Sequence, residues 1–318
     1  MRLRVGDLVE VRSAEEILRT LDSNGALELL PFMPEMLAYC GRQFRVDKRV
    51  HKTCDTIVRD GIREIKNVVM LQGIRCDGSA HGGCEAACTI FWKEAWLKCA
   101  ASNPSSASPS NPNAPLCTLD RLQESTHAPG SPRSGPDVVY SCQATDMRKA
   151  TTPLSPWRLG QYFEDVWSGN VRPMDLLRAF LIWIYNTLQQ KRRGSQYPYL
   201  PGKGSKTPRQ TLDLKPGELV QVRSKDEIID TVDVRLRNRG LSFDREMVRY
   251  CGGNYRVLAR VNQLIDEKNG KMIKMPNDCI ILDKVICVGH LNRMCPRSIY
   301  PYWREIWLKR VEGGAPEK

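Results

Sequence analysis

The strongest constraint on this chain is an internal duplication. Val5-Gly-Asp-Leu-Val-Glu-Val-Arg-Ser13 returns as Pro216-Gly-Glu-Leu-Val-Gln-Val-Arg-Ser224, and one offset of 211 carries the match onward without a gap. The offset pairs Glu16 with Glu227, Phe32 with Phe243, Met36 with Met247, Tyr39 with Tyr250, Cys40 with Cys251 and Gly41 with Gly252. It goes on to pair Cys76 with Cys287, Cys84 with Cys295, Trp92 with Trp303, Glu94 with Glu305 and Trp96 with Trp307. Identities this numerous at one offset mean duplication of a unit of about 95 residues, which predicts two homologous domains. Positions kept in both copies are those the shared fold or shared chemistry still requires.

Within each copy the local signals agree. A glycine turn leads into an alternating apolar strand ending at Val11 or Val222, and Ser13-x-x-Glu16 and Ser224-x-x-Glu227 are capping boxes that open a short helix. A second short helix around Met36 or Met247 ends at Cys-Gly, where glycine can take the left-handed conformation. Phe44-Arg-Val46 and Tyr255-Arg-Val257, then Val68 to Gly73 and Cys279 to Val285, read as further strands. The expected fold class is α+β, mainly β, with two small barrel-like domains. The opening turn and strand, Val5–Ser13 and Pro216–Ser224, resemble the start of a small Src-homology-three-like barrel.

With 41% apolar and 26% charged residues the chain is globular rather than disordered. The expected organisation is repeat one over 1–99, a disordered Ser/Pro linker over 100–137 and a helical bracing segment over 138–193. A basic linker over 194–215, repeat two over 216–311 and a tail over 312–318 complete it. Cys117 and His127 read as exposed bystanders of the first linker. In the bracing segment Asn170 can cap a helix from Pro173 to about Lys191, whose apolar residues recur at helical spacing and pack on the repeats.

Chemistry is concentrated in cysteines. Copy one offers Cys76-x4-His81-x2-Cys84-x3-Cys88 and copy two offers Cys287-x2-His290-x4-Cys295. Structural zinc takes four thiolate or imidazole ligands, so the retained Cys40 and Cys251 complete a set in each copy. The expected sets are Cys40, Cys76 and Cys84 with His81 or Cys88, and Cys251, Cys287 and Cys295 with His290. Zinc at two sites is the reading, with an iron–sulfur cluster as the alternative. The bland alternative is that these cysteines are small buried apolar groups. The N-terminus lacks the apolar core of a signal peptide, so the twelve cysteines are expected in the reducing cytoplasm.

The segments Phe91-Trp-Lys-Glu-Ala-Trp96 and Tyr302-Trp-Arg-Glu-Ile-Trp307 predict paired buried tryptophans, with the basic and acidic side chains outside. No nucleophile–base pair or phosphate loop stands out, so no catalytic residue is named and an enzyme is the minority reading. No apolar run is long enough for a membrane span. The expected function is a tandem-repeat zinc-binding module that acts as a scaffold for an acidic or protein partner. A net charge of +12 keeps a nucleic-acid partner as an alternative, and the third reading is an iron–sulfur or metal-dependent redox enzyme.

Overall fold

A computed structural model describes residues 2–99, 117–202, 204 and 207–311. The chain is mainly β with some helices, arranged in several sheets, and it divides into two compact units. The first comprises Met1–Pro173, Gln263–Ile273 and Asn292–Arg297, and the second comprises Met174–Asn262, Lys274–Leu291 and Ser298–Lys318. The first unit therefore takes in two stretches from the 216–311 region. Hydrogen bonds explain their membership: Gln263 Nε2 donates to the carbonyls of Gly82 and Gly83 at 3.1 and 3.0 Å, and Thr89 Oγ1 donates to the Arg297 carbonyl at 2.8 Å.

In the first unit an antiparallel sheet runs in the order Trp92–Lys93, Ile62–Leu71, Gln43–Cys54, Leu8–Val11, Leu97–Cys99. Alternation decides which face is inside: Val9 and Val11 are fully buried while Leu8 is exposed. Ser13 Oγ accepts the Glu16 amide at 3.2 Å and the Glu16 carboxylate accepts the Ser13 amide at 2.9 Å, which starts the helix Ala14–Leu18. The 3-10 helix Pro34–Tyr39 stops at Cys40, and Gly41 follows at φ 74° as its sequence requires. No sheet closes into a barrel. The two edge strands here, Trp92–Lys93 and Leu97–Cys99, are joined through the turn Glu94–Trp96 instead of by a ladder.

That turn also corrects the expected placement of its charges. Trp92 and Trp96 are buried as anticipated, edge-on to Phe32 at 6.3 and 5.2 Å. Lys93 and Glu94, however, are only 2% and 7% exposed. The segment is strand, then 3-10 turn, then strand, so the turn rotates Glu94 inward. There its carboxylate accepts from the buried Arg49 guanidinium and from the Leu3 amide, the latter at 3.3 Å. Lys93 Nζ donates to the Glu28 carboxylate at 2.6 Å.

The second unit has an antiparallel sheet in the order Ile280–Leu282, Asn254–Arg260, Leu219–Val222, Leu308–Arg310. Trp303 and Trp307 are fully buried against Phe243 at 6.2 and 5.4 Å. Trp307 Nε1 donates to Thr231 Oγ1 at 3.0 Å, as Trp96 Nε1 donates to Thr20 Oγ1 at 3.1 Å. Arg304 and Glu305, also expected outside, are 3% and 0% exposed. Glu305 accepts from the amides of Leu212, Asp213 and Leu214 at 2.7, 3.1 and 2.9 Å, and from the Arg260 guanidinium.

The connecting region differs from its sequence reading. Residues 100–116 of the expected linker lie outside the described residues, while its remainder forms the helix Leu119–Glu124. Cys117 and Leu122 enter the core of the first unit, because a helix capped by Thr118 turns both inward, so Cys117 is not exposed. His127 is half-buried, its ring 5.3 Å from that of Tyr140. Asn170 caps nothing, since its side-chain amide is engaged with both backbone groups of Arg49, at 2.9 and 2.7 Å. The helix Pro173–Lys191 forms, but Ala179 is its one buried residue, and Met174, Leu177, Phe180, Leu181, Trp183 and Leu188 face solvent. No helix among the described residues is long and apolar enough to cross a membrane.

Burial pushes the Glu305 carboxyl upward, but the Leu214 and Leu212 amides and the Arg260 charge outweigh it and hold the group below the usual carboxylate range. A depressed folded value gives stability that is complete above the unfolded value and is lost as pH falls through the folded one. Glu305→Gln should therefore lower unfolding free energy by about 3 kcal/mol at neutral pH. In urea titrations the gap between wild type and variant should close below pH ~4.

Candidate functional site

The loop from Cys76 to Cys88 is folded by its glycines. The Gly78 carbonyl accepts the amides of His81 and Gly83 at 2.9 and 3.0 Å, and the Cys76 amide donates to the Cys88 carbonyl at 2.9 Å. Gly78 sits at φ +68°, and a Cβ there would lie 2.1 Å from the Cys84 carbonyl oxygen, so only glycine lets the two ends of the loop close. The Glu35 carboxylate lies under the loop. It is approached by Cys76 Sγ at 3.6 Å and by His81 Nδ1 at 2.6 Å, while its second oxygen, Oε2, is buried without a hydrogen-bond partner.

His81 is 1% exposed, and its Nε2 faces the Ser141 carbonyl at 3.0 Å. A carboxylate on one side and a carbonyl on the other engage both ring nitrogens. The expectation that His81 fills the fourth corner thus meets a competing role, hydrogen-bond partner of Glu35 and of the Ser141 carbonyl.

Burial and neighbouring charges act unequally on the sulfurs. Cys76 is pushed up by burial, with further contributions from Glu35, Cys88 and Cys142. Cys88 is pushed up to about 12, mainly by burial, with Cys142 and Cys84 adding to Glu267 and opposing Arg297. Cys142 is pushed up to about 11, again mainly by burial, and Cys84 adds to it. Cys76 thus feels Cys88 and Cys142, Cys88 feels Cys142 and Cys84, and Cys142 feels Cys84, all four residues being half-buried. Cys40 is half-buried against the core, and only burial raises it, with no other thiol acting on it. Cys142 could have been suspected only from its place just before Gln143, whose side chain bonds the main chain of Phe91 on both sides, at 2.8 Å each.

In the 216–311 region Cys251, Cys287 and His290 belong to the second unit and Cys295 to the first. Cys251 is pushed up to about 11 by burial, with Lys225 opposing. His290 is lowered by burial and by Arg249, Arg178 opposing its protonation further. Among the described residues no group of three or more His, Cys, Asp or Glu side chains stands arranged to hold a metal ion.

A second cluster was not singled out from sequence. On the strand Gln43–Cys54, Lys52 Nζ donates to Asp165 Oδ2 at 2.5 Å, both residues being fully buried, while His51 Nε2 faces the Gln161 carbonyl at 3.1 Å and lies 3.2 Å from Asp165 Oδ1 without a hydrogen bond to it. Adjacent strand residues normally point to opposite faces. Here the ladder is irregular: between Val50↔Val68 and Lys52↔Glu64 the partner strand inserts three residues opposite His51, with Asn67 at φ 55°. Burial lowers the Lys52 ammonium, with Asp165 opposing. His51 Nδ1, Thr53 Oγ1, Gln161 Oε1 and Asp165 Oδ1 are buried without hydrogen-bond partners.

Beyond Lys52 the same strand ends at Cys54, whose amide donates to Cys295 Sγ at 3.1 Å. The buried Arg297 binds the Cys54 carbonyl at 3.4 Å, Thr56 Oγ1 at 2.6 Å and the Glu267 carboxylate at 3.2 Å. The signal that could have exposed this cluster is a mismatch between copies: His51, Lys52, Thr53 and Cys54 fall on Asn262, Gln263, Leu264 and Ile265. The chain matches no protein-family model, no curated protein and no solved structure.

Removing one member of a buried pair strands the other charge. Lys52→Met should cost about 3–5 kcal/mol in urea unfolding, and adding Asp165→Leu should recover most of that loss.

Proposed function

We propose that this chain is a binding module built on two duplicated β domains, with a structural zinc in the first held by Cys76, Cys84, Cys88 and Cys142. The observation that carries this reading is the glycine-folded loop, which closes Cys76 onto Cys88 and Gly78 onto Cys84 and so gathers three cysteines at one turn, with Cys142 acting on Cys76 and Cys88. As bare groups Cys76, Cys88 and Cys142 are held protonated by burial, and a divalent cation supplies the charge that lets them ionise. Four sulfurs fit zinc and leave no open position, which makes the site structural and assigns binding, not chemistry, to the surface. Relative to the sequence expectation, Cys142 takes the place of Cys40 and His81.

The partner surface is the helix Pro173–Lys191. Its exposed Phe180 and Trp183 rings stack with centroids 5.8 Å apart, beside Leu177, Leu181 and Leu188, and it runs into Lys191, Arg192 and Arg193. A protein partner with an apolar groove bordered by acidic side chains complements this face.

Elemental analysis of protein purified with and without oxygen tests the zinc. Stoichiometric zinc is expected, lost in Cys84→Ala and Cys142→Ala and kept in Cys40→Ala and Cys295→Ala. Visible absorbance with iron in the anaerobic preparation replaces zinc with a cluster, and no metal in either preparation removes the reading. Phe180→Ser with Trp183→Ser should change thermal unfolding by no more than about 0.5 kcal/mol, as befits exposed positions. A large destabilisation would show that the helix is part of a core and not a docking face.

A further inference from the structure

Two cysteines that the zinc reading does not use stand together in the first unit. Cys54 and Cys295 are buried side by side with Ile62 and Leu154 in a small apolar cluster of their own. Cys295 Sγ lies 3.1 Å from the Cys54 amide nitrogen, although the two residues are 241 positions apart in sequence. The wholly enclosed guanidinium of Arg297 binds the Cys54 carbonyl and is held in place by Thr56 and Glu267. A fixed cation beside a thiol stabilises its thiolate, the form that reacts.

We propose that Cys54 and Cys295 are a redox-active dithiol that closes to a reversible disulfide on reaction with a hydroperoxide, Cys54 attacking and Cys295 resolving. The Cys54 sulfur is suited to attack, since the Cys295 S–H hydrogen bond and the Arg297 charge outweigh burial and lower it to about 7. Its thiolate attacks the peroxide oxygen, the O–O bond breaks, and the leaving oxygen departs as water or alcohol after protonation, leaving a sulfenic acid. The Cys295 sulfur then attacks the Cys54 sulfur, the S–O bond breaks and a second oxygen leaves as water. Two thiols lose two electrons and two protons in all, and the hydroperoxide is reduced. The product ties Asn292–Arg297 covalently to the end of the strand Gln43–Cys54, closing a very long loop, which restricts the unfolded chain most.

The test treats full-length protein with stoichiometric hydrogen peroxide, alkylates the remaining thiols and maps the peptides by mass spectrometry. A linked pair containing Cys54 and Cys295, reversed by dithiothreitol, is expected, together with a raised melting temperature absent from Cys54→Ser. Cys295→Ser should trap sulfenic acid on Cys54 as a dimedone adduct, and Cys54→Ser should leave Cys295 unmodified at the same dose. Disulfides found only among Cys76, Cys84, Cys88 and Cys142, or Cys54 and Cys295 still alkylatable once other thiols are oxidised, would overturn the proposal. A dimedone adduct on Cys295 in Cys54→Ser would overturn the assignment of roles. Zinc measured on the same samples keeps the outcome separate from the metal reading, since neither serine variant removes a zinc ligand.

Discussion

A buried carboxylate clamped by an arginine and a main-chain amide holds each half of this protein together. Glu94 receives Arg49 and the Leu3 amide, and Glu305, 211 positions later, receives Arg260 and the Leu214 amide. In both cases the arginine also returns a bond to the carbonyl of the same leucine, at 3.2 and 3.4 Å. A charge in that position is tolerable only when fully paired. The pairing fixes three pieces at once: the strap before the first strand, the long strand carrying the arginine, and the 3-10 turn between the two tryptophans. Once the turn is fixed, both indoles face inward against one phenylalanine, and a threonine hydroxyl receives the second of each pair, Trp96 or Trp307, while Nε1 of Trp92 and Trp303 is buried without a partner.

On that common frame the halves differ in what they add. The first extends a strand to Cys54 and loads its end with His51, Lys52 and Thr53, of which His51 and Thr53 bring orphaned polar atoms into the interior and Lys52 a charge paired with Asp165. The matching strand in the second half is shorter, ending at Arg260, and the residues at those positions are mostly uncharged. The sulfurs follow the same asymmetry, since Cys295 belongs to the first unit beside Cys54 while Cys251, Cys287 and His290 belong to the second. Duplicated sequence thus supports one shared packing scheme and unequal chemistry.

Much of the local structure was legible because it depends on neighbours in sequence. Both capping boxes, both Cys-Gly helix ends and the burial of all four tryptophans followed from spacing and residue type alone. The charges between the tryptophans were misplaced because their inward rotation comes from a 3-10 turn that a four-residue spacing does not distinguish from helix or strand. Cys117 was misread because the polar residues after it hide one turn of amphipathic helix. The exposed helix had the periodicity of a packed one, and periodicity does not report whether a neighbour is present.

The sequence by itself determined the short capped helices, the alternating strands and the aromatic pairs, since each is a property of residues a few positions apart. Tertiary structure decided what His81 and Glu35 do with their hydrogen bonds, and that Cys54 and Cys295 are neighbours. Those outcomes join residues separated by 46 to 241 positions, and contact over such spans is set by how the sheets fold over and by the need to pair every buried charge.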